Sequence, residues 1–355
     1  MPTIAHIHWA RVTYNVRMAW RLLLVFSLLL IGSMAQAADY WVADGDEVFG
    51  EVKVISARYE DTFVSLARIH NVGYEALRRA NPDVDPWLPG EGTKITIPTR
   101  FVLPRAPHRG IVVNVAELRL YYFPEDTGPR PEGVLPSARK VVTHPISIGR
   151  MDWSTPLGRT TITNKVANPS WYPPQSIRDE HAARNDVLPR VVPPGPDNPL
   201  GKHALRLGLP GYLIHGTNKP SGVGMRVTHG CIRMFPEDIE SLYKSVPTGT
   251  TVQIVNQPVK LGWTADGKLY VEAHPPLQES SVDGEAAATI NEADEAFQES
   301  PLTSLMRAYI AATDERRIDF DWETAERVAQ FGRGIPEAVS ISGAMPVVVA
   351  GELAN

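Results

Sequence analysis

Short apolar runs separated by turn residues dominate the middle of the chain. Ile111 to Phe123, IVVNVAELRLYYF, reads as two strands about an acidic turn, the pattern of a β-hairpin. Lys140 to Gly149 (KVVTHPISIG) gives another strand, and in Ser154 to Val166 (STPLGRTTITNKV) a Thr155-Pro156 and Gly158 turn feeds a strand of Thr and Ile. VQIV at Val252 to Val255 adds one more. Pro236 to Val246, PEDIESLYKSV, has the helical period instead. Pro and two acids open it, Lys closes it, and Ile239, Leu242 and Tyr243 share a face. So many short strands predict a mainly β protein, with a β-sandwich or barrel-like domain over residues 109–256.

The flanks read differently. Residues 40–98 predict a small α+β module: strand, acidic turn, two helices stopped at Asn81-Pro82, a loop and the closing strand KITIP. Thr62 is placed to cap the first helix, whose Phe63, Leu66, Ala67 and His70 fall at helical spacing; Tyr74, Leu77 and Arg78 continue the pattern in the second. Arg100 to His108 reads as a proline-bearing connector. Residues 1–37 read as a signal peptide, with Arg11, Arg17 and Arg21 ahead of an apolar core (Leu22 to Gly32) and Ala35-Gln36-Ala37 as the cleavage signal. Export follows, with no stable membrane span after cleavage; an uncleaved anchor is the alternative. Downstream, 257–277 reads as a hairpin through Asp266-Gly267, and 278–300, with seven acidic and no basic residues, as a solvated linker. The helical extension 301–355 follows. Leu302, Leu305, Met306, Tyr309 and Ile310 line one helix; Trp322, Ala325, Val328 and Ala329 line another, capped by Asp321 and stopped by Gly332.

Composition narrows the function classes. At 355 residues with 43% hydrophobic positions the chain can build two or three domains, and a net charge of −5 argues against a general nucleic-acid binder. It contains one cysteine, Cys231, so no intrachain disulfide forms, and in an exported protein a free thiol is better explained by use than by chance. The surrounding sequence, YLIHGTNKPSGVGMRVTHGCIRM (Tyr212 to Met234), looks like a buried strand ending at His215, a loop that can fold back, and a glycine-bearing tip at Thr228 to Cys231. His215 and His229 could then both approach the thiol. A free thiol with a pKa of about 8.5 is barely ionised at neutral pH, and a neighbouring imidazole can activate it for acyl transfer. Two bland readings stand beside this: a cysteine buried as a small hydrophobe, or a zinc site made by His215, His229 and Cys231, which would lack a fourth ligand. Trp171 to about Leu200, rich in Pro and polar residues and stiffened by Pro193, Pro194 and Pro196, reads as a lid over the cysteine or else as a surface excursion.

The succession HGT, a glycine-containing loop, then THGC, an apolar residue and Arg, with sixteen positions from His215 to Cys231, resembles the signature of the L,D-transpeptidase family (the YkuD-type catalytic domain). The likeness spans Arg109 to Val255, and the chain looks most like proteobacterial periplasmic members. The resemblance implies Cys231 as nucleophile and His215 as general base, its imidazole oriented by the Gly216 carbonyl. His229 would hold the loop and help set the local field, and backbone N–H groups at Gly230 and Cys231 would receive the oxyanion. Arg226, Arg233 and Thr228 would contact substrate; many members carry Asn where this chain has Arg233. No cofactor and no metal are implied. Residues 40–98 are similar to a LysM glycan-binding module. The partners implied are peptidoglycan stem peptides and glycan strands, with a murein lipoprotein as a possible acyl acceptor. A peptidoglycan-binding structural protein with an inert cysteine, and a zinc hydrolase, are the rival classes.

Overall fold

The computed structural model of the chain describes residues 38–125, 127–150, 155–277, 300–313 and 318–340; the expected signal peptide, nearly all of the acidic linker and residues 341–355 lie outside them. β-Branched and aromatic residues supply half of the strand positions among the described residues, as a half-buried pleated surface favours. In chain order the first strands are β1 (Ala38–Val42), β2 (Val48–Ser56), β3 (Lys94–Val102), β4 (Gly110–Asn114), β5 (Arg119–Phe123), β6 (Arg139–Pro145), β7 (Ile148–Gly149) and β8 (Gly158–Ala167). They continue as β9 (His203–Leu207), β10 (Leu213–His215), β11 (Arg226–Thr228), β12 (Ile232–Arg233), β13 (Thr251–Val255), β14 (Val259–Trp263), β15 (Leu269–Ala273) and β16 (Glu337–Ala338). The helices are α1 (Phe63–Ile69), α2 (Tyr74–Ala80), α3 (Gln175–Ala182), α4 (Pro236–Ser245), α5 (Pro301–Thr313) and α6 (Trp322–Phe331).

Nine strands form one mixed sheet in the order β1-β6-β5-β4-β13-β8-β9-β10-β12, with parallel pairs only at β4–β13 and β10–β12. Ser147, just past β6, exchanges backbone hydrogen bonds with Arg233 of β12 at 2.8 and 2.9 Å, so the β12 edge curls round toward the opposite edge of the sheet, where β6 is the second strand. The result is mainly β, as the strand count predicts. Alternation gives the sheet two cores. Ile111, Val113, Leu120 and Tyr122 face inward with Ile214, Ile232 and the α4 residues Ile239 and Leu242. Val112, Tyr121 and Phe123 face the other way, onto Val42, Phe49, Phe101 and Leu103.

That second core changes the domain boundaries read from sequence. β2 and β3 pair over nine residues each, from Val48↔Val102 to Ser56↔Lys94. One end packs with α1 and α2, where Phe63, Leu66, Leu77, Ile95 and Ile97 are buried; the other end carries Phe49 and Phe101 into the large sheet. The segment from Arg100 is therefore strand as far as Val102, because its aromatic side chain has a core to enter. β1, read above as the start of the small module, is instead an edge strand of the nine-stranded sheet, paired with β6. Thr62 caps α1 in a reciprocal arrangement with Ser65.

The acidic turn between β4 and β5 is not solvated either. Glu117 is buried and meets the Lys260 ammonium of β14 at 2.8 Å, which also reaches Glu272 of β15 at 3.2 Å and the Val102 carbonyl at 2.6 Å. Glu272 accepts from the Val102 N–H at 2.6 Å and pairs with His274 at 2.7 Å, and the Tyr121 hydroxyl donates to Glu117. Burial pushes Glu272 upward and holds His274 down to about 3. The network ties the end of β3, the β4–β5 turn and the β14–β15 hairpin together. At the C-terminal end α6 is capped by Asp321 and stopped by Gly332 in the left-handed conformation. On α5 the buried stripe is Ser304, Leu305, Ala308, Tyr309 and Ala312, not the expected one: Leu302, Met306 and Ile310 are exposed. Tyr309 sets this rotation by packing edge-on to Phe320, 4.6 Å between centroids. Lys260→Met should lower stability by about 3–5 kcal/mol, since it removes the ammonium that two buried carboxylates share and leaves only Arg119, 3.8 Å from Glu117, beside them. Denaturant unfolding measures the loss, and adding Glu117→Gln should recover part of it.

Candidate active site

β10 and β12 are parallel neighbours with Ile214 opposite Ile232 and His215 opposite Arg233. Side chains alternate along each strand, so Ile214 and Ile232 enter the core, 0% and 1% exposed, while Leu213, His215, Cys231 and Arg233 all turn to the other face. That face is the floor of a cavity of about 460 Å³, walled by Trp171, Tyr172, Ile177, Leu200 and Tyr212. The long proline-bearing segment thus lies over the cysteine. It is not structureless: Gln175–Ala182 forms the two-turn helix α3, with Ile177 as its buried anchor, and Trp171 and Val192 bridge to each other.

His215 Nδ1 lies 2.6 Å from the carbonyl oxygen of Gly216. That contact makes Nδ1 the protonated nitrogen and leaves Nε2 as the basic one. Burial, then the nearby Arg233 cation, drive the imidazole down to about 3, so it is neutral at physiological pH. Gly216 is itself hemmed in, since a Cβ there would sit 3.0 Å from Ile239. Burial pushes the Cys231 thiol up, while its contact with the Leu213 backbone and the charge of Arg233 pull it down. The thiol also points at the Gly211 carbonyl, 3.6 Å away. The resting site is a neutral thiol and a neutral imidazole with one guanidinium acting on both.

The tip that presents the cysteine is locked by hydroxyls. Thr228 Oγ1 donates to the Cys231 carbonyl at 2.6 Å, and Thr155 Oγ1 donates to the Gly230 carbonyl at 2.9 Å. Gly230 has φ +94, a conformation other residues adopt only with strain. Thr228, named from sequence as a substrate contact, borders the cavity but spends its hydroxyl on this turn. Arg233 lines the cavity; Arg226 does not, and its Nε approaches the Gly149 carbonyl at 3.5 Å. His229 Nε2 lies 2.9 Å from Glu180 of α3, which also meets Arg150 at 2.5 Å. A zinc site would need His215, His229 and Cys231 to converge, whereas these groups face the Gly216 carbonyl, Glu180 and the Gly211 carbonyl. Among the described residues the acidic and histidine ligand atoms that do converge belong to Glu117, Glu272 and His274, and the Lys260 ammonium is already ion-paired with both carboxylates.

The family model for the L,D-transpeptidase catalytic domain, YkuD, matches residues 108–254. The chain is 39% identical over 293 residues to the probable L,D-transpeptidase YcfS of Escherichia coli, covering 80% of this chain and 88% of that one. It belongs to the L,D-transpeptidase family. The probable L,D-transpeptidase ErfK/SrfK of E. coli is 35% identical over 319 residues, covering 89% of this chain and 95% of that one. Among solved structures, the catalytic domain of the Enterococcus faecium L,D-transpeptidase is 18% identical, with a TM-score of 0.29 over 43% of this chain and all of that one.

In this L,D-transpeptidase the loop joining His215 to Cys231 leans on the N-terminal module. Tyr74 and Glu75 at the start of α2 donate backbone N–H groups to Val223 and Gly224 at 3.4 and 3.3 Å, and Met225 packs onto the module core. Arg68 of α1 holds Glu237 of α4 with two 2.8 Å bonds. Gly73 and Gly224 face each other with no room for side chains: a Cβ on Gly224 would lie 2.3 Å from Gly73 Cα. Arg150, Glu180 and this docking escaped sequence reasoning. The one available signal was Glu180 three positions after Ile177, one helical turn along, in a stretch whose prolines suggest loop.

Three outcomes follow for the L,D-transpeptidase site. Gly224→Ala should cost more than the roughly 1 kcal/mol expected of left-handed strain alone and slow reaction at Cys231. Gly249→Ala, at φ +92 with open space around it, supplies the strain-only comparison in thermal unfolding. Alkylation of Cys231 by iodoacetamide should keep rising beyond pH 8, because burial raises the thiol, and should show no inflection near 6.5 from His215, which is already neutral above about 3. Arg233→Gln removes the opposing cation, so it should shift the profile further alkaline and slow alkylation at pH 7. A rate already flat by pH 7 would contradict this assignment.

Proposed function

We propose that Cys231 attacks the carbonyl on the L-centre of the diaminopimelate residue in a peptidoglycan tetrapeptide stem, expelling the terminal D-alanine, and that an amine then takes the acyl group. The carrying observation is the shared face: strand alternation sends Cys231, His215 and Arg233 into one lidded cavity. His215 Nε2 takes the thiol proton as the sulfur attacks and returns it to the departing amine. The backbone N–H groups at Gly230 and Cys231 receive the developing oxyanion, and Arg233 attracts the carboxylates of the stem. A neutral resting thiol suits this order of events, because the proton leaves only when substrate has displaced water from the cavity. The part of the lid segment outside α3, with Trp171, Tyr172 and Leu200 on the cavity wall, keeps the thioester from hydrolysing until the acceptor amine arrives. That acceptor is a side-chain amine of another stem, giving a 3→3 cross-link, or a lysine of a murein lipoprotein.

The N-terminal module supports a glycan-holding role. Tyr59, Trp87 and Leu88 are 84%, 61% and 76% exposed, on two loops joined by the Phe63 N–H to Pro86 carbonyl bond. Exposed aromatic faces on adjoining loops suit stacking against sugar rings. With the leader read at 1–37, the enzyme works in the periplasm on the glycan strands that carry its donor stems; among the described residues no helix is long and apolar enough to cross a membrane.

Purified protein incubated with a carbapenem and weighed intact should gain one adduct, located at Cys231. In a strain lacking its own L,D-transpeptidases, expression should yield 3→3 cross-linked muropeptides or lipoprotein-linked stems. Cys231→Ala should abolish both, and His215→Ala should slow acylation by about 10²–10⁴-fold. Parental rates from Cys231→Ala would remove Cys231 as the nucleophile, and no adduct with no new muropeptides from the parental protein would leave the inert structural protein as the better reading.

A further inference from the structure

The lid helix α3 reaches the cysteine tip through one carboxylate. Glu180 Oε2 lies 2.5 Å from Arg150 Nη2 and 2.9 Å from His229 Nε2, and its other oxygen accepts from Arg184 on the same helix. Arg150 and His229 are carried by segments fixed to each other: the Arg150 N–H donates to the Thr228 carbonyl at 2.9 Å, at the end of the β7–β11 ladder. Glu180 comes from a different element, inserted between β8 and β9. Eight residues of helix are not stable alone, and Ile177 is the buried side chain of α3. Glu180 carries its ion-paired attachment to the tip.

We propose that Arg150 and His229 form a carboxylate subsite beside Cys231, that Glu180 occupies it in the unliganded enzyme, and that a carboxylate of the donor stem displaces Glu180 and so releases the lid helix. This rests on the transpeptidase reading for the identity of the ligand. The chemistry of the exchange is like for like. A guanidinium and an imidazole offer converging N–H donors to whichever carboxylate is present, so replacing an internal carboxylate by an external one conserves the charge-assisted bonds. His229 also borders the cavity and neighbours Cys231 by one residue beyond Gly230, so an anion at its ring lies close to the scissile bond. The partners hold Glu180 down to about 2, so the latch stays ionised and intact until a competitor arrives. A neutral ligand cannot make the exchange. The subsite thus couples lid opening to recognition of an anionic peptide, and the closed latch lowers apparent affinity by the fraction of molecules in which it is shut.

The test uses the full chain carrying Cys231→Ala, so that binding is read without turnover, and synthetic tetrapeptide stems as free acids or with either the terminal alanine or the diaminopimelate carboxylate amidated. In calorimetry, Glu180→Gln should tighten binding of the free-acid stem by roughly three- to tenfold, and hydrogen exchange over residues 175–182 should rise without ligand. Arg150→Gln should weaken the free acid by about tenfold, one charge-assisted bond, but leave unchanged the stem whose engaged carboxylate is amidated; Arg150→Lys should fall between. The subsite is overturned if Glu180→Gln changes neither affinity nor exchange, or if Arg150→Gln weakens acid and amides alike. Acyl-enzyme formation by the parental protein is weighed separately. Its failure would remove the transpeptidase reading while leaving the binding result to stand or fall by itself.

Discussion

Two residue pairs of parallel strand decide where the chemistry sits. Ile214 and Ile232 must be buried, and their neighbours His215, Cys231 and Arg233 are thereby sent to the opposite face. A slip of one residue would exchange the buried set for the cavity-facing set, so the hydrophobic requirement fixes which residues face the cavity. β9 flanks β10 on one side and Ser147 flanks β12 on the other, which closes both edges of the pair. Parallel neighbours also need a crossover of a dozen or more residues. The interval between His215 and Cys231 is that crossover, and its length reflects the geometry of the sheet as much as the chemistry.

The same burial works against the thiol. A sulfur and an imidazole removed from water both favour their neutral forms, which moves the cysteine up and the histidine down and widens the gap between them. Arg233 is the counterweight on the sulfur, yet it pushes the histidine in the same direction as burial does. The site therefore holds no stored ion pair. The Gly216 carbonyl holds His215 in one tautomer and leaves its Nε2 as the basic nitrogen.

Sequence disclosed the parts whose chemistry is local. The cysteine and its histidine are unusual residues at strand ends, Thr62 and Asp321 sit at helix starts, and Gly332 stops a helix by taking a conformation that suits it. What stayed hidden depends on partners far along the chain. Glu117 looks like a turn acid until Lys260, 143 residues away, is seen beside it. The stripe on α5 has two candidate faces, and Phe320 and Trp322 choose between them. α3 lies among prolines that argue for loop, and Glu180 has significance only because Arg150 and His229 stand opposite.

The N-terminal module is the larger case of the same limit. A reader of composition looks for a boundary at a proline-bearing connector, but β2 and β3 serve two cores along one continuous pairing, with Ile95 and Ile97 in the small one and Phe101 in the large one. The module is thus joined to the catalytic sheet by shared strands as well as by the contact of α2 with the crossover loop. A flexible tether would let the module range over a volume set by the tether's length. Here the loops bearing Tyr59 and Trp87 stand at a fixed offset from Cys231, and the price is a pair of glycines, Gly73 and Gly224, at the one point where two backbones must touch.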